Sequence, residues 1–387
     1  MADISKQKDE LRKERRKRNA ANKLKKTIFY TIILIVFFAI IFLWFISENY
    51  DLKSRARCRS ASQISGKGFP ITLEDANVKQ LLPVEDDIAV VTKTAVYIYN
   101  QNGARLYTDV NKYINPMIKT AGYNILTYDY GASNFKISNN LGIVYEGSVD
   151  SRIYDCDITS NGYYAVAQMP LGALSQVTVY DNSNNNIYDW KTSLGYITDV
   201  SFNKKGDLLS AVTINSDDAY LFSSLSIHNI KKDIAPIYIK LDREIVLSTV
   251  WTKQNKLQVI TDKSIRIYDS NGETLFIVDT PKNMSRYLNS ENGGVYISCY
   301  NKYTSQSTIY SFDKLLRNIG ETTIDEKVEE LITDTDRLMI VTDTSVYLSN
   351  PKLSELNKRD YGAVSKIEMV GNKYYSVKSN ELFHGVL

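Results

Sequence analysis

Residues Asp87–Leu106 read DIAVVTKTAVYIYNQNGARL, and the same pattern returns twice more along the chain. The further copies are KLQVITDKSIRIYDSNGETL at Lys256–Leu275 and RLMIVTDTSVYLSNPKLSEL at Arg337–Leu356. Each copy joins an apolar run, a polar turn, a second run rich in Val, Ile and Tyr, and a final polar turn. A strand-and-turn unit repeated about every 41 residues is typical of a β-propeller, in which four-stranded blades surround a central channel.

The spacing of the repeats predicts the number of blades. Candidate innermost strands recur at Val78, Met117, Ile153, Ile197, Val246, Tyr287, Val328 and Val364. The last unit contains only three strands, and Phe69–Leu73 (FPITL), just before the first unit, can supply the fourth. Joining the two ends of the chain in one blade removes free sheet edges. We therefore predict an all-β fold with eight blades, with seven blades as the alternative.

The N-terminal region contains one apolar segment. Residues Thr27–Ile46 (TIFYTIILIVFFAIIFLWFI) form twenty consecutive residues without a charge, a length that spans a bilayer core of about 30 Å as a helix. No A-x-A cleavage pattern follows, which favours an uncleaved anchor over a signal peptide. The predicted organisation is a basic cytoplasmic tail (1–26), a transmembrane helix (27–46), a linker (47–68) and a β-propeller (69–387).

Charge is distributed unevenly along the chain and predicts the topology. The net charge is +3, but residues 1–26 carry +7, so the remainder carries −4. Basic residues concentrate on the cytoplasmic side of membrane spans, which predicts a single-pass protein of the cell membrane with its N-terminus inside and the propeller outside. The basic character belongs to the tail, so the propeller is not expected to bind nucleic acid.

Residues that usually carry catalysis or metal binding are scarce. There are two histidines, His228 and His384, and three widely spaced cysteines, for which we expect no zinc site and no disulfide. Acidic pairs fall at predicted strand starts or turns, where Asp commonly bonds backbone amides. These pairs are Asp86/Asp87, Asp155/Asp157, Asp217/Asp218 and Asp334/Asp336. A hairpin turn also explains Asp269–Glu273 better than a calcium loop. We predict no catalytic, metal or cofactor residues.

Tyrosine is the abundant aromatic residue, with 28 copies. Most are expected to be half-buried between blades. Four near predicted loop ends are candidates for a surface that stacks against a glycan or a protein: Tyr128, Tyr130, Tyr287 and Tyr303.

Several hairpins resemble known propeller families. VSFNKKGDLLSAV (Val200–Val212) is similar to WD40 and TolB-type blades, and VYDNSNNNIYDW (Val179–Trp190) and IYDSNGETLF (Ile267–Phe276) resemble quinoprotein-type repeats. The latter resemblance implies the fold of the scaffold BamB and of the quinoprotein dehydrogenases. The stretches at Phe69–Thr92 and Asn115–Ile137 resemble a group of Firmicutes membrane proteins with a basic N-terminus, one span and a propeller-like ectodomain. That resemblance implies no assigned activity.

Two classes of function fit these observations. The first is a membrane-anchored binding or scaffold module in the cell envelope, whose partner is an envelope protein or a wall glycan. The alternative is a quinone-dependent or carbohydrate-active propeller enzyme. The enzyme would require basic residues with a stacking Trp, or paired carboxylates, at the central channel. A sensor that couples an external ligand to the tail is a third option, which the short tail disfavours.

Overall fold

The computed structural model describes residues 23–42, 50–110, 112–217, 220–232, 234–334, 336–359 and 365–387. It divides into two compact units, residues 1–57 and 58–387. In the first unit, helix α1 (Lys23–Phe42) is apolar and long enough to cross a membrane. It covers most of the predicted span, and residues 43–46 of that prediction lie outside the described residues.

A second helix, α2 (Tyr50–Ser62), falls within the stretch predicted as a linker, and its last turn belongs to the second unit. Its sequence, YDLKSRARCRSAS, has no apolar stripe, so periodicity does not reveal it. The second unit otherwise consists of strands. In chain order, β1 to β32 are Ile71–Thr72, Val78–Val84, Asp87–Thr92, Ala95–Tyr99, Arg105–Val110, Pro116–Ala121, Asn124–Asp129, Asn134–Asn139, Gly142–Ser148, Arg152–Ile158, Tyr164–Met169, Ser175–Tyr180, Asn186–Thr192, Tyr196–Phe202, Leu208–Asp217, Tyr220–Asn229, Ile237–Leu241, Val246–Trp251, Leu257–Thr261, Ser264–Tyr268, Thr274–Asp279, Met284–Asn289, Val295–Asn301, Gln306–Phe312, Asn318–Ile324, Val328–Asp334, Arg337–Thr342, Val346–Ser349, Leu356–Arg359, Lys366–Val370, Lys373–Lys378 and Glu381–Val386.

The strands form eight four-stranded antiparallel sheets, so the described residues build an eight-bladed propeller and exclude the seven-bladed alternative. Blades 1 to 7 use consecutive strands, from β2–β5 to β26–β29. Blade 8 joins β30, β31 and β32 to β1, with Ile71 opposite Leu382. The predicted closure of the ring by the two ends is confirmed. Seven of the eight predicted innermost strands contain their named residue, and Val364 lies outside the described residues.

Burial follows the position of a strand within its blade. The two middle strands are buried almost throughout, as in β3 and β4, whereas outer strands such as β13 and β21 alternate between exposed and half-buried positions. Continuous Val/Ile runs suit the middle strands because both of their faces are covered by neighbouring blades. The buried apolar residues form eight clusters, and each lies between two neighbouring blades. Burial between blades is therefore what holds the ring together.

Strand direction defines two faces of the ring. We call the upper face the one that carries the hairpin between the two middle strands and the connection to the next blade; the lower face carries the other turns. Residues 58–62 lie on the lower face of blades 1 and 2. There Ser62 Oγ donates a hydrogen bond to Asp87 Oδ2 at 2.7 Å, and Asn140 Nδ2 donates to the same oxygen at 2.8 Å. The chain thus enters the propeller at its lower face.

Candidate binding surface

The central channel is lined by the innermost strands, and in blades 3 and 4 its wall contains carboxylates. Asp155 and Asp157 lie inside β10, not at a strand start or a turn as expected from the sequence. Asp155 Oδ2 accepts a hydrogen bond from the backbone N–H of Val200 at 2.8 Å, and Asp157 Oδ2 accepts one from Phe202 at 2.7 Å. These bonds connect two neighbouring innermost strands that share no sheet. The carboxylates therefore join blade 3 to blade 4.

The crowded wall changes the protonation of these groups. Burial raises the pKa of Asp157 to about 7 and the pKa of Asp199 to about 6, since a low-dielectric site disfavours the charged form. Lys119 Nζ lies 3.8 Å from Asp155 Oδ1 and offsets part of the negative charge. The hydroxyl of Tyr128 donates to Asp155 at 2.9 Å, and that of Thr249 donates to Asp199. These oxygens are occupied by the protein's own donors.

A second acidic pair lines the channel on blades 7 and 8. Burial, reinforced by the charge of Glu330, raises the pKa of Glu368 to about 8, and burial also raises the pKa of Glu330. A carboxyl with this pKa is mostly protonated at neutral pH and can donate or accept a hydrogen bond. Paired carboxylates are the feature that the carbohydrate-active alternative requires. The quinone-dependent alternative requires a stacking Trp at the channel. Among the described residues, Trp190 lies on outer strand β13 instead, and Trp251 is only 3% exposed and packs between blades 4 and 5.

The four tyrosines selected from the sequence lie in different environments. Tyr128 is buried, 1% exposed, beneath the channel wall. Tyr130 is 47% exposed and packs edge-on against Tyr154. Tyr287 is part of innermost strand β22 and donates to the Leu247 carbonyl, while Tyr303 projects from the β23–β24 hairpin at 88% exposure. The four rings lie on blades 2 and 6 and do not form one surface. Ligand contact by the exposed ones remains a prediction.

Exposed apolar side chains on the upper face concentrate on one side of the ring. We call this set the upper apolar surface: Val110, Ile114, Met117, Tyr130, Leu171, Leu194, Tyr196, Tyr220 and Leu221. All nine lie on blades 1 to 4, at upper-face loops or strand ends. Leu171, at the tip of the blade 3 hairpin, is fully exposed, and Ile114 is 84% exposed. Exposed apolar residues concentrated in one region of a surface are typical of interaction sites.

A cleft of about 780 Å³ lies between blades 1 and 2 and opens toward the upper face. Its floor holds an ion pair between Lys136 Nζ and Asp109 Oδ1 at 2.5 Å, with both side chains about 5% exposed. Lys136 also lies over the ring of Tyr113, 5.5 Å from its centre. Burial, with the nearby charges of Glu146 and Asp109, raises the pKa of Tyr113 to about 12. The charges of the floor are thus satisfied within the protein.

A smaller pocket of about 280 Å³ lies between blades 3 and 4. Its walls carry the aromatic rings of Trp190, Phe222 and Tyr238, and Trp190 Nε1 donates a hydrogen bond to the Tyr238 hydroxyl at 3.2 Å. Beneath Trp190 lies His228, with its ring centre 4.5 Å from the Trp190 ring centre. Burial lowers the pKa of His228 to about 4, so this histidine is neutral at physiological pH.

The hydrogen bonds of His228 fix its ring. Its Nδ1 lies 2.8 Å from the Tyr188 hydroxyl and its Nε2 lies 2.8 Å from Ser226 Oγ. An arrangement in which Ser226 donates to the Ala211 carbonyl, Nε2 donates to Ser226 and Tyr188 donates to Nδ1 satisfies all of these groups together. Sequence reasoning predicted no role for His228 beyond a position near a turn. The available signal was the long alternating run around it, which forms the two ten-residue strands β15 and β16.

Metal-binding groups do not assemble in the described part of the chain, where no three His, Cys, Asp or Glu side chains come together. At the turn considered for calcium, Asp269 Oδ1 accepts hydrogen bonds from the backbone N–H groups of Asn271 and Glu273. That geometry is the hairpin turn expected from its sequence. Cys156 and Cys299 are free thiols, and burial raises the pKa of Cys299 to about 11, so both are inert.

Solved structures similar to this chain include β-propeller domains, one of them a WD40 domain. The C-terminal WD40 domain of Sif2 matches with a TM-score of 0.56 and 10% identity, over 83% of this chain and 99% of that domain. The propeller domain of Cps50 (Swd1) from Myceliophteria thermophila matches with a TM-score of 0.48 and 11% identity, over 72% of this chain and 98% of that one. Hsv2p from Kluyveromyces lactis matches with a TM-score of 0.49 and 12% identity, over 73% of this chain and 99% of that one. Identities this low show the fold alone.

The search of curated proteins gives no match. A family model covers almost the whole propeller, residues 68–383, and its description is a family of unknown function, DUF5711. The chain therefore belongs to the DUF5711 family.

Proposed function

We propose that this protein is a membrane-anchored binding module that holds an envelope protein on the upper apolar surface of its propeller. Helix α1 supports the anchor because it is long, apolar and free of buried contacts. The excess of Lys and Arg in residues 1–26 supports an N-terminus in the cytoplasm and a propeller outside the cell.

The observation that carries the proposal is the placement of exposed apolar residues. The upper-face hairpins of blades 5, 7 and 8 end in polar pairs, Asp262-Lys263, Asp343-Thr344 and Ser379-Asn380, and that of blade 6 exposes a single aromatic residue, Tyr303. The corresponding hairpins of blades 2 to 4 present Tyr130, Leu171 and Tyr220. Exposed apolar or aromatic residues on three successive hairpins, rather than Leu171 alone, favour contact with a partner. The surface lies opposite the face at which the chain enters.

Site-specific photo-cross-linking in intact cells tests the partner. A benzophenone amino acid replaces Leu171 in one variant and Asp343, at the equivalent hairpin tip of blade 7, in the control. We expect a cross-linked envelope protein from position 171 that is absent from position 343. Adducts of the same pattern and yield from both positions, or no adduct from either, would contradict the proposal.

Thiol labelling of intact cells tests the topology. The three native cysteines are replaced, and single cysteines are placed at Ser5 in the tail and at Ser183 in an exposed turn of blade 3. A membrane-impermeant reagent should label position 183 and leave position 5 unlabelled. Labelling of position 5 alone would place the propeller inside the cell and redirect the search to cytosolic partners.

The carbohydrate-active alternative rests on the acidic pair Glu330 and Glu368 at the channel. A glycosidase needs one protonated and one ionised carboxyl across a bound sugar, and the raised pKa of Glu368 suits the acid. The test is release of reducing sugar from purified cell wall by the full-length protein. Activity abolished in Glu368→Gln would favour the enzyme, and its absence from the wild-type protein would remove this alternative.

A further inference from the structure

We propose that the pocket between blades 3 and 4 binds a neutral saccharide unit, a role beyond the protein binding proposed above, at a site that shares Leu194 with the upper apolar surface. The pocket combines ring faces, neutral polar side chains and a single paired cation. Each of these three features matches a property of a sugar ring, and the pocket holds them on a rigid support.

The aromatic walls supply the stacking surface. Trp190 comes from outer strand β13 of blade 3, and Phe222 and Tyr238 come from β16 and β17 of blade 4. The Trp190 and Tyr238 rings lie 6.5 Å apart at 44°, which forms a corner rather than a flat stack. Aromatic faces carry negative quadrupole potential and attract the weakly positive C–H groups of a sugar ring. Tyr238 is 52% exposed, so its ring is accessible.

Polar groups surround these rings. Five neutral side chains line the pocket: Thr192, Thr213, Asn215, Ser224 and Ser226. Hydroxyl and amide groups both donate and accept, as the hydroxyls of a sugar require. Three of them form a column on one face of the blade 4 sheet, because Thr213 lies opposite Ser224 and Ser226 is two residues further along the same strand. Ser226 already bonds to the Ala211 carbonyl and Asn215 donates to the Leu194 carbonyl, so a sugar would use the Ser224 hydroxyl and the remaining donor and acceptor capacity of the other groups.

The one charged side chain that lines the pocket is paired. Lys240 is its one charged lining residue among the described side chains, and its Nζ lies 3.1 Å from Asp242 and 3.8 Å from Asp217. Lys240 also lies over the Phe222 ring, 4.5 Å from its centre. A cation already paired with two carboxylates and a ring has little to offer a phosphate or carboxylate ligand. The pairing of Lys240 therefore favours an uncharged polyol as the ligand.

The support beneath the pocket is rigid and stays so across physiological pH. His228 holds Trp190 from below, with both of its nitrogens hydrogen-bonded and its ring neutral. A wall fixed in advance loses little entropy on binding. At about 280 Å³ the pocket is close to the small end of ligand sites, which suits one or two sugar rings rather than a long chain.

The test is saturation-transfer NMR with the full-length protein in phospholipid nanodiscs, which avoid sugar-headed detergents. The probes are N,N′-diacetylchitobiose and maltose, and a deca-proline peptide represents a protein occupant of an aromatic groove. We expect transfer to at least one disaccharide. Tyr238→Ala should weaken it about tenfold and Ser224→Ala about threefold, from the loss of one ring contact or one hydrogen bond. Both positions are partly exposed, so the fold should survive.

The control is Ile277→Ala, which removes a side chain that is 52% exposed, as Tyr238 is, from outer strand β21 of blade 5 and should leave disaccharide binding unchanged. Three results would overturn the proposal: no transfer to either disaccharide, equal transfer with wild type and Tyr238→Ala, or displacement of the sugar by the proline peptide at lower concentration. None of these depends on cross-linking at Leu171, so the saccharide pocket and the protein-binding surface can fail separately.

Discussion

Blades 2 to 4 and blades 5 to 8 share one architecture but present different upper faces. Both groups use four antiparallel strands per blade and bury an apolar cluster at every blade interface. Blades 2 to 4 expose Leu171 and Tyr220 at their upper hairpins and enclose the aromatic pocket, whereas blades 5, 7 and 8 end in tight polar turns and blade 6 exposes Tyr303 alone. The interfaces between blades therefore maintain the ring, while the hairpin tips vary from blade to blade.

The largest expected effect comes from the ion pair on the floor of the cleft between blades 1 and 2. Lys136→Ala leaves the buried carboxylate of Asp109 without its partner, which should lower the free energy of unfolding by about 3–5 kcal/mol. The exposed pair of Lys327 and Glu329 in blade 7 is the matched control, and Lys327→Ala should cost less than about 1 kcal/mol. Chemical denaturation of both variants provides the comparison. Equal losses of unfolding free energy would show that the buried ion pair between blades 1 and 2 contributes no more than the exposed pair in blade 7.

Replacement of a channel carboxylate should lower the stability of the propeller in blade 3 and raise it in blade 8. Asp157→Ala leaves the backbone N–H of Phe202 unsatisfied and should destabilise the propeller by about 1–3 kcal/mol. Asp157→Asn keeps an acceptor and should cost less. In blade 8, Glu368→Gln removes a group that is costly to ionise, so unfolding at pH 9 should require more denaturant than for wild type. Destabilisation by Glu368→Gln at that pH would contradict this difference.

The pH dependence of stability follows from the same groups. Asp157 and Glu368 have pKa values raised to about 7 and about 8, so the folded state holds protons that the unfolded state releases. Stability should therefore fall as the pH rises from about 5 to 8. Below about pH 4.5 it should fall again, because hydrogen bonds to the Glu326 carboxylate hold its pKa well below its usual range despite partial burial. Thermal unfolding between pH 4 and 9 should show a maximum near pH 5, and a maximum above pH 7 would be inconsistent.

The smallest effect on stability is expected at the upper apolar surface. Leu171 is fully exposed, so Leu171→Asp should change the free energy of unfolding by less than about 0.5 kcal/mol. Retention of the envelope partner in pull-downs should nevertheless fall about tenfold if Leu171 lies at the centre of the contact. Asp343→Lys in blade 7 is the control and should affect neither quantity. Unchanged retention with Leu171→Asp would show that the partner does not bind at the exposed hairpins of blades 2 to 4.

Much of the fold follows from local pattern. The repeated Val/Ile runs and Asn/Asp turns set the strands, and counting them predicts eight blades closed by Phe69–Leu73. Local pattern fails at the channel wall, where Asp155 and Asp157 read as turn residues but lie in an innermost strand. Their partners are backbone N–H groups 45 residues away in the next blade. Turn chemistry and bonding between blades use the same residue type, so the sequence does not separate them.

The candidate sites likewise depend on contacts between blades, whereas the strands follow from local sequence patterns. Alternation with a period of two and the preferences of turn residues act within a hairpin, and for that reason the amino-acid sequence alone establishes the strands, the blade number and the apolar span near the N-terminus. Contacts between blades join residues about 40 positions apart, across surfaces whose relative placement depends on closure of the whole ring. The meeting of Trp190 with Tyr238 and the docking of Ser62 beside Asn140 arise at that level. Those positions carry no local signal, and only the folded ring brings them together.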